Sequence, residues 1–406
     1  MLTTVASANP KKIYLDYAAT TPLEPLVLAA MLPYFSAEYA NPSSMHESGR
    51  RAKQAITRAR LDIAELLNCA PDELIFTGSG TESDNLAMQG VARAYRAEGK
   101  HIIVSAIEHK AVLESAHALR RDGFEVDILP VDTFGRIDVD ECLRLVRPTT
   151  TLISVMYANN EIGTILPIVE LATALKKFRA GDRALPLLHT DACQAAGFLP
   201  LDVQELGVDL MTLNSSKIYG PKGVGMLYKK RGVRIQPLIV GGEQEMNLRA
   251  GTESVPLIVG MSVALKKVME WRQEESARLT ALRDYFIERL LTEIPGAILN
   301  GHPSERLPNN IHISIPYVEG EAILLMLDRQ GIEASTGSAC SAFDLKPSHV
   351  LMAIGQNAEF AHGSIRFSLG KETTRQEIDQ VMVTFPPIIE RLRSVSALTA
   401  KIHVRV

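Results

Sequence analysis

Between Glu73 and Tyr228 the chain alternates short apolar runs with amphipathic segments, and no other feature constrains the fold as tightly. The apolar runs are Leu74 to Thr77, Ile102 to Ser105, Val126 to Leu129, Leu152 to Met156, Leu187 to Thr190, Leu210 to Leu213 and Val224 to Tyr228. Thr81 to Glu98, His109 to Arg121 and Ile168 to Arg179 lie between them with helical periodicity. Strands that alternate with helices pair in parallel and bury both faces, which predicts an α/β fold with a mostly parallel mixed sheet flanked by helices. In such a sheet, ligands collect beyond the carboxyl ends of the strands. Only a glycine-containing turn separates the last two runs, so that part of the sheet is expected to be antiparallel.

After Gly251 the pattern changes to one long helical stretch, Val255 to Ile294, followed by a smaller α+β unit. Its expected strands are Ile311 to Ile315 and Ile365 to Leu369, and its expected helices Glu319 to Gln330 and Thr373 to Ser396. At 406 residues the chain exceeds the size at which a single core usually stops growing. We expect a large domain over 16–260 and a small α+β domain built from 1–15 and 261–406, with the Ile13 to Leu15 strand packing on the second unit.

Composition narrows the function classes. Lys plus Arg number 43 against 47 Asp plus Glu, without the basic excess of a nucleic-acid binder, so direct nucleic-acid binding is not expected. The longest apolar stretches fall short of the roughly 18 residues that span a bilayer, and Met1 to Lys12 lacks a signal-peptide core. A cytoplasmic enzyme acting on small molecules is the expectation, without membrane attachment. Cys69, Cys142, Cys193 and Cys340 are too dispersed for a disulfide framework or a metal site.

Several positions carry chemistry if their surroundings allow it. Thr77-Gly78-Ser79-Gly80-Thr81 follows a strand and opens a helix, which suits a phosphate or a plain turn with a helix cap. Asp191 ends the Leu187 to Thr190 run, where a carboxylate caps the next turn or meets a cation such as a pyridinium nitrogen. Lys217 sits between an apolar strand and the Gly220-Pro221 turn, either as a solvated charge or as an amine held out of water and suited to Schiff-base chemistry. His109 by itself reads as a helix start or a core residue. Cys340 lies in Ser335-Thr336-Gly337-Ser338-Ala339-Cys340-Ser341-Ala342, a run of small polar residues that reads as a mobile loop bearing an accessible thiol. Cys142 and Cys69 read as packing residues, and Cys193 as a neighbour of Asp191 without chemistry of its own. Arg366 interrupts an apolar strand and needs a carboxylate, from the protein or from a substrate.

The motifs Tyr14-Leu15-Asp16-Tyr17-Ala18-Ala19-Thr20-Thr21-Pro22, Thr81-Glu82-Ser83-Asp84-Asn85, Glu108-His109-Lys110-Ala111-Val112, Asn159-Asn160-Glu161-Ile162-Gly163, Asp191-Ala192-Cys193-Gln194, Lys217-Ile218-Tyr219-Gly220-Pro221-Lys222-Gly223 and Arg249-Ala250-Gly251-Thr252 recur in one order. The series resembles the cysteine desulfurases, within the aspartate-aminotransferase-like group of pyridoxal-phosphate enzymes (fold type I), from about Ile13 to Ser396. The resemblance implies pyridoxal 5'-phosphate on Lys217, Asp191 at its ring nitrogen and His109 stacked on the ring. It further implies Asn160 and Gln194 at the ring hydroxyl, and Gly80, Thr81, Asn214 and Ser216 around the phosphate, with Thr252 arriving from a second subunit of a homodimer. The family usually has His before the lysine and Ser at position 214; Ser216 and Asn214 here predict a weaker phosphate grip.

By the same resemblance, Cys340 takes sulfur from L-cysteine as a persulfide in a long loop, and Arg366, helped by Asn41 and Asn160, receives the substrate carboxylate. Lys217 moves the α-proton, alanine leaves, and the sulfur passes to an acceptor protein such as an iron–sulfur scaffold or a thiolation factor. Rival readings are a selenocysteine lyase, a transaminase, which has no use for Cys340, and a partner-binding scaffold, which has no use for Lys217, Asp191 and His109.

Overall fold

The computed structural model describes residues 12–179, 185–337 and 347–395. A two-residue strand, β1 (Ile13–Tyr14), precedes β2 (Leu74–Thr77), β3 (His101–Ser105), β4 (Glu125–Leu129), β5 (Thr150–Ser154), β6 (Leu187–Asp191), β7 (Leu210–Asn214) and β8 (Gly225–Lys229). The last seven form one sheet in the order β2-β8-β7-β6-β5-β3-β4. The pairs from β7 to β4 are parallel, and β8 runs antiparallel to both β7 and β2. This is the α/β architecture expected from the alternation, including its antiparallel part.

Burial explains the sequence pattern. Every residue of β2, β3, β5 and β6 is buried, as in a sheet covered on both faces, whereas the edge strand β4 exposes Glu125 and Ile128. One core gathers Ile103, Ile153, Leu188, Met211 and Met226 under the helix Glu47–Leu67 and the start of the helix Val255–Glu293. On the other face, Ile102, Val104, Leu152, Leu210 and Leu227 pack with Leu86, Val112 and Leu119. The segment expected as one helix from Thr81 is broken by a π-turn over Leu86–Gly90. Gly90 lies so close to the neighbouring backbone that a Cβ there would come within 2.7 Å of the Gln236 carbonyl oxygen.

The remaining strands are β9 (Ile298–Leu299), β10 (Asn310–Ser314), β11 (Ile332–Glu333) and β12 (Ser364–Ser368). β12, β10 and β9 form an antiparallel sheet, and β1 pairs in parallel with β11. A second core collects Ile13, Leu15, Phe286, Ile313, Phe367 and Phe385, with the Phe286 and Phe367 rings 5.0 Å apart. The Val255–Glu293 helix serves both cores: Ile258, Met261 and Leu265 join the first, and Leu279, Phe286 and Leu290 the second. Its 39 residues form one unbroken rod, about 58 Å long at 1.5 Å per residue.

Candidate active site

The carboxyl ends of β2, β3, β5, β6 and β7 open on one pocket of about 350 Å3. Gly80, Thr81, His109, Asn160, Asp191, Gln194, Asn214, Ser216, Lys217 and Arg366 all line it, joined by Ala18, Ala19, Asp84, Met156, Ala158, Cys193 and Gly337. A larger depression of about 880 Å3 lies between the helices Val139–Leu145 and Ile168–Phe178, but it brings together none of these residues. Convergent chemistry, and not volume, marks the smaller pocket.

Lys217 follows β7 in the tight turn Ser215–Lys217, so a buried strand delivers it to the pocket edge. Its Nζ donates to the carbonyl oxygens of Ala18 at 2.8 Å and Ala19 at 2.6 Å. Burial lowers the amine's pKa from its ordinary value; Arg366 lowers it further, while Cys193, Asp16 and Asp191 act the other way. Gln194 Nε2 donates to the same Ala18 oxygen at 2.9 Å. The turn after β1 thereby fixes residues from two strands of the large sheet.

Asp191 ends β6, and its Oδ1 accepts the Cys193 N–H at 2.9 Å, the capping bond its position allows. It also lines the pocket, so capping and facing a ligand are not alternatives here. His109 likewise does both: Nδ1 accepts the Ala111 N–H at 3.1 Å at the start of the helix Lys110–Arg121, and the ring borders the pocket. Met156, Ala158 and Asn160 reach it because the chain runs on past β5 alongside β6, Val155 and Tyr157 donating their backbone N–H groups to the His189 and Asp191 carbonyl oxygens at 3.1 and 2.9 Å.

The end of the pocket at Gly80 is shaped by missing atoms. A Cβ on Gly80 would lie 2.9 Å from Cys193 Sγ, and one on Gly225 would lie 2.4 Å from the Ser79 carbonyl carbon. Both positions are filled up to the Cα, so glycine lets this turn pack directly on Cys193 and β8, and Thr81, Asn214 and Ser216 line the pocket beside it. Glu82 braces this corner by accepting the Gly78 N–H at 2.7 Å and pairing with Arg249 Nε at 2.8 Å. That ion pair ties two of the sequence motifs together.

Arg366 on β12 points into the pocket from the opposite side, its side chain 3% exposed. Nη2 pairs with Asp16 Oδ1 at 2.8 Å, and Nη1 donates to the Asn160 carbonyl oxygen at 2.9 Å. Its Nε has no hydrogen-bond partner among the described residues. The protein itself therefore supplies one carboxylate, of the two sources the sequence left open.

Two expected residues among those described are not brought to this pocket. Thr252 lines a separate cavity of about 220 Å3 with Thr77, Gly78, Arg249 and Glu253. Asn41 does not line the pocket, and its Oδ1 accepts the Ser43 N–H at 2.9 Å. Cys340 lies outside the described residues. The other cysteines are inert by environment: burial pushes the Cys69 and Cys142 thiols up to about 12 and raises Cys193 well above its ordinary value.

Sequence reasoning gave no role to the acids behind Asp191. Asp84 and Glu108 are 1% and 0% exposed, and both stand inside motifs already noted. Burial, followed by the Asp191 charge, holds Asp84 well above the usual carboxylate range. Burial also pushes Glu108 up to about 8, although Ser105 Oγ at 2.5 Å and the Met156 N–H at 2.7 Å donate to it. Nothing in the sequence reports that these carboxyls are dry.

The family model for aminotransferase class-V proteins matches residues 13–381. The chain belongs to this class-V family. A relative from Dictyoglomus turgidum named cysteine desulfurase IscS is 51% identical over 386 residues, covering 95% of this chain and 96% of the relative. Another with that name, from Methanosarcina thermophila, is 47% identical over 97% of this chain and 96% of its own length. The solved structure of a NifS-like protein superposes with a TM-score of 0.88 at 36% identity, covering 94% of this chain and all of that one. The cofactor of this class-V chain is pyridoxal phosphate. The pocket fits it: the polar side chains of Thr81, Asn214 and Ser216 for an anion, an acid and an imidazole along the walls, and a lysine amine of lowered pKa at the rim.

Proposed function

We propose that the chain is a pyridoxal-phosphate-dependent cysteine desulfurase, converting L-cysteine to L-alanine and retaining the sulfur as a persulfide on Cys340. The observation that carries this reading is the convergence of Lys217, Asp191 and His109 on one pocket that Arg366 closes from the other side. When bound, pyridoxal phosphate supplies an electron sink that stabilises negative charge at the substrate's α-carbon and weakens its Cβ–S bond.

The chain's residues supply the rest. Gly80, Thr81, Asn214 and Ser216 would hold the phosphate, His109 would stack on the ring, Asn160 and Gln194 would meet its hydroxyl side, and Asp191 would pair with the ring nitrogen. Arg366 receives the substrate carboxylate, aided by Asn160. Lys217, its pKa lowered by burial, removes the proton at Cα and returns a proton to the three-carbon fragment. Cys340 Sγ attacks the substrate sulfur: the new S–S bond forms as Cβ–S breaks, the bonding pair stays with the carbon fragment, and protonation there gives alanine.

A homodimer, with Thr252 of each protomer serving its neighbour's phosphate site, accounts for a family motif residue placed outside this chain's own pocket. The persulfide sulfur then passes to an acceptor protein such as an iron–sulfur scaffold. No helix among the described residues is long and apolar enough to cross a membrane, and we place the enzyme in the cytoplasm. Mass spectrometry after exposure to L-cysteine tests the assignment: one added sulfur on the peptide containing Cys340 is expected, and its absence together with unchanged L-cysteine would overturn it.

A further inference from the structure

Behind Asp191 lies a hydrogen-bonded chain that the proposed reaction does not use. His189 on β6 is fully buried; its Nδ1 meets Ser154 Oγ at 2.8 Å and its Nε2 meets Thr212 Oγ1 at 3.1 Å. Burial lowers His189 to about 4, so the ring is neutral and carries one N–H. Thr212 in turn hydrogen-bonds Asp84, and Asp84 Oδ1 lies 3.8 Å from His189 Nε2. That Oδ1 is buried without a hydrogen-bond partner among the described residues, although Asp84 lines the pocket.

The groups facing Asp84 are Asp191 and His189 from β6, Glu108 after β3, Cys193 after β6 and, farther off, Lys217 after β7. Two of them are carboxyls and none is an adjacent cation. Two carboxylates largely withdrawn from water repel strongly, and such a pair is relieved by keeping one proton between them. An ionised Asp84 would leave its bare Oδ1 a buried unpaired anion; a protonated one would make that atom a donor.

We propose that Asp84 is a positioning residue of the cofactor site, its carboxyl kept neutral so that Asp191 is the acid left to face the ring nitrogen. The proposal rests on the reading of Asp191 given above. Glu108, pushed up to about 8 mainly by burial, is the other carboxyl kept mostly neutral in this cluster at neutral pH. Ser154, His189 and Thr212 tie Asp84 into this cluster through their chain of hydrogen bonds.

Infrared spectroscopy of the holoenzyme reads this directly, through the carbonyl stretch of buried protonated carboxyls. Wild type at pH 7 should show such a band from Asp84 and another from Glu108; Asp84→Asn should lose the first, and Glu108→Gln the second. The resting absorbance of the bound cofactor should shift on alkaline titration of wild type, as Asp84 ionises, and this transition should vanish in Asp84→Asn. If Asp84→Asn fails to fold, Glu108→Gln alone decides: one remaining band supports the proposal, and none overturns it. A wild-type band unchanged in Asp84→Asn also overturns it. Asp191→Asn separates the two ideas, since an unaltered cofactor spectrum there would sink the Asp191 reading, whereas an altered one with no Asp84 band would sink only this proposal.

Discussion

The carboxylate of Asp16 stands 2.8 Å from Nη2 of Arg366, joining the first motif of the chain to the last strand of the small sheet. The guanidinium is nearly dry, so removing Asp16 leaves it only carbonyl acceptors. Hydrogen bonds to charged groups contribute roughly 1.5–3 kcal/mol, and Asp16→Ala should cost about that much in denaturant unfolding of the cofactor-free protein. Arg366→Lys keeps the charge but loses the planar fork, and should raise KM for L-cysteine on the order of tenfold while leaving the resting cofactor spectrum unchanged. An unaltered KM would remove Arg366 from substrate binding.

Acid should weaken the fold through its buried imidazoles. Burial lowers His189 to about 4 and His312 to about 3, against an ordinary 6.5. Between those folded values and 6.5 the unfolded chain binds more protons than the folded one. Stability is therefore present above pH 6.5 and lost as pH falls toward 4. At about 1.4 kcal/mol per pKa unit, His189 alone accounts for on the order of 3 kcal/mol of that loss. Melting curves should show wild type losing stability more steeply than His189→Asn between pH 7 and 4; parallel losses would mean the imidazole does not titrate in this window.

How far the sequence revealed this molecule depended on whether a signal was local. β3, β5 and β6 read as apolar runs because both faces are covered, and the long Val255–Glu293 helix ended within a residue of its expected limits. The helix Glu47–Leu67 went unread although Ala52, Ile56, Ala59, Ile63 and Leu67 recur on one buried face, because it precedes the alternating region that dominates the pattern. Motif order singled out the residues that line the pocket, but not their partners. Asp16 and Arg366 are 350 positions apart, and the raised pKa values of Asp84 and Glu108 follow from burial, which no local pattern encodes.

The placement of Thr252 in its own cavity makes a shared site testable by mixing subunits. Lys217→Ala and Thr252→Asp should each abolish turnover as pure homodimers. In a mixed dimer, the protomer that keeps Lys217 receives an intact Thr252 from its neighbour. Random reassortment of a two-fold dimer should then restore about a quarter of wild-type activity. No recovery would place both residues in service of the same subunit's site.

Ser216 lines the pocket together with Gly80, at a position where the family usually carries a histidine. An imidazole there would add a donor that can become cationic toward a phosphate. Ser216→His should slow cofactor loss during dialysis, followed by the fall of bound-cofactor absorbance. Equal or faster loss would mean that the neighbouring donors already compensate.

The two halves of the proposed chemistry reside on separate side chains, since Lys217 handles carbon and protons while Cys340 handles sulfur. Lys217 is bound to the pocket by the Ala18 and Ala19 carbonyls, and burial has lowered its pKa. Lys217→Ala should lose the resting absorbance of covalently held cofactor and all turnover, because attachment and proton transfer depend on the same amine. Cys340→Ser removes only the attacking sulfur, so this variant should stay yellow and its spectrum should still respond to L-cysteine. Sulfide and alanine should not accumulate. The variants fail at different stages, which rapid mixing with L-cysteine followed by alanine analysis resolves: the first never engages substrate covalently, and the second engages it without releasing product. Alanine release at the wild-type rate from Cys340→Ser would show that another group accepts the sulfur, and the desulfurase reading would lose its central residue.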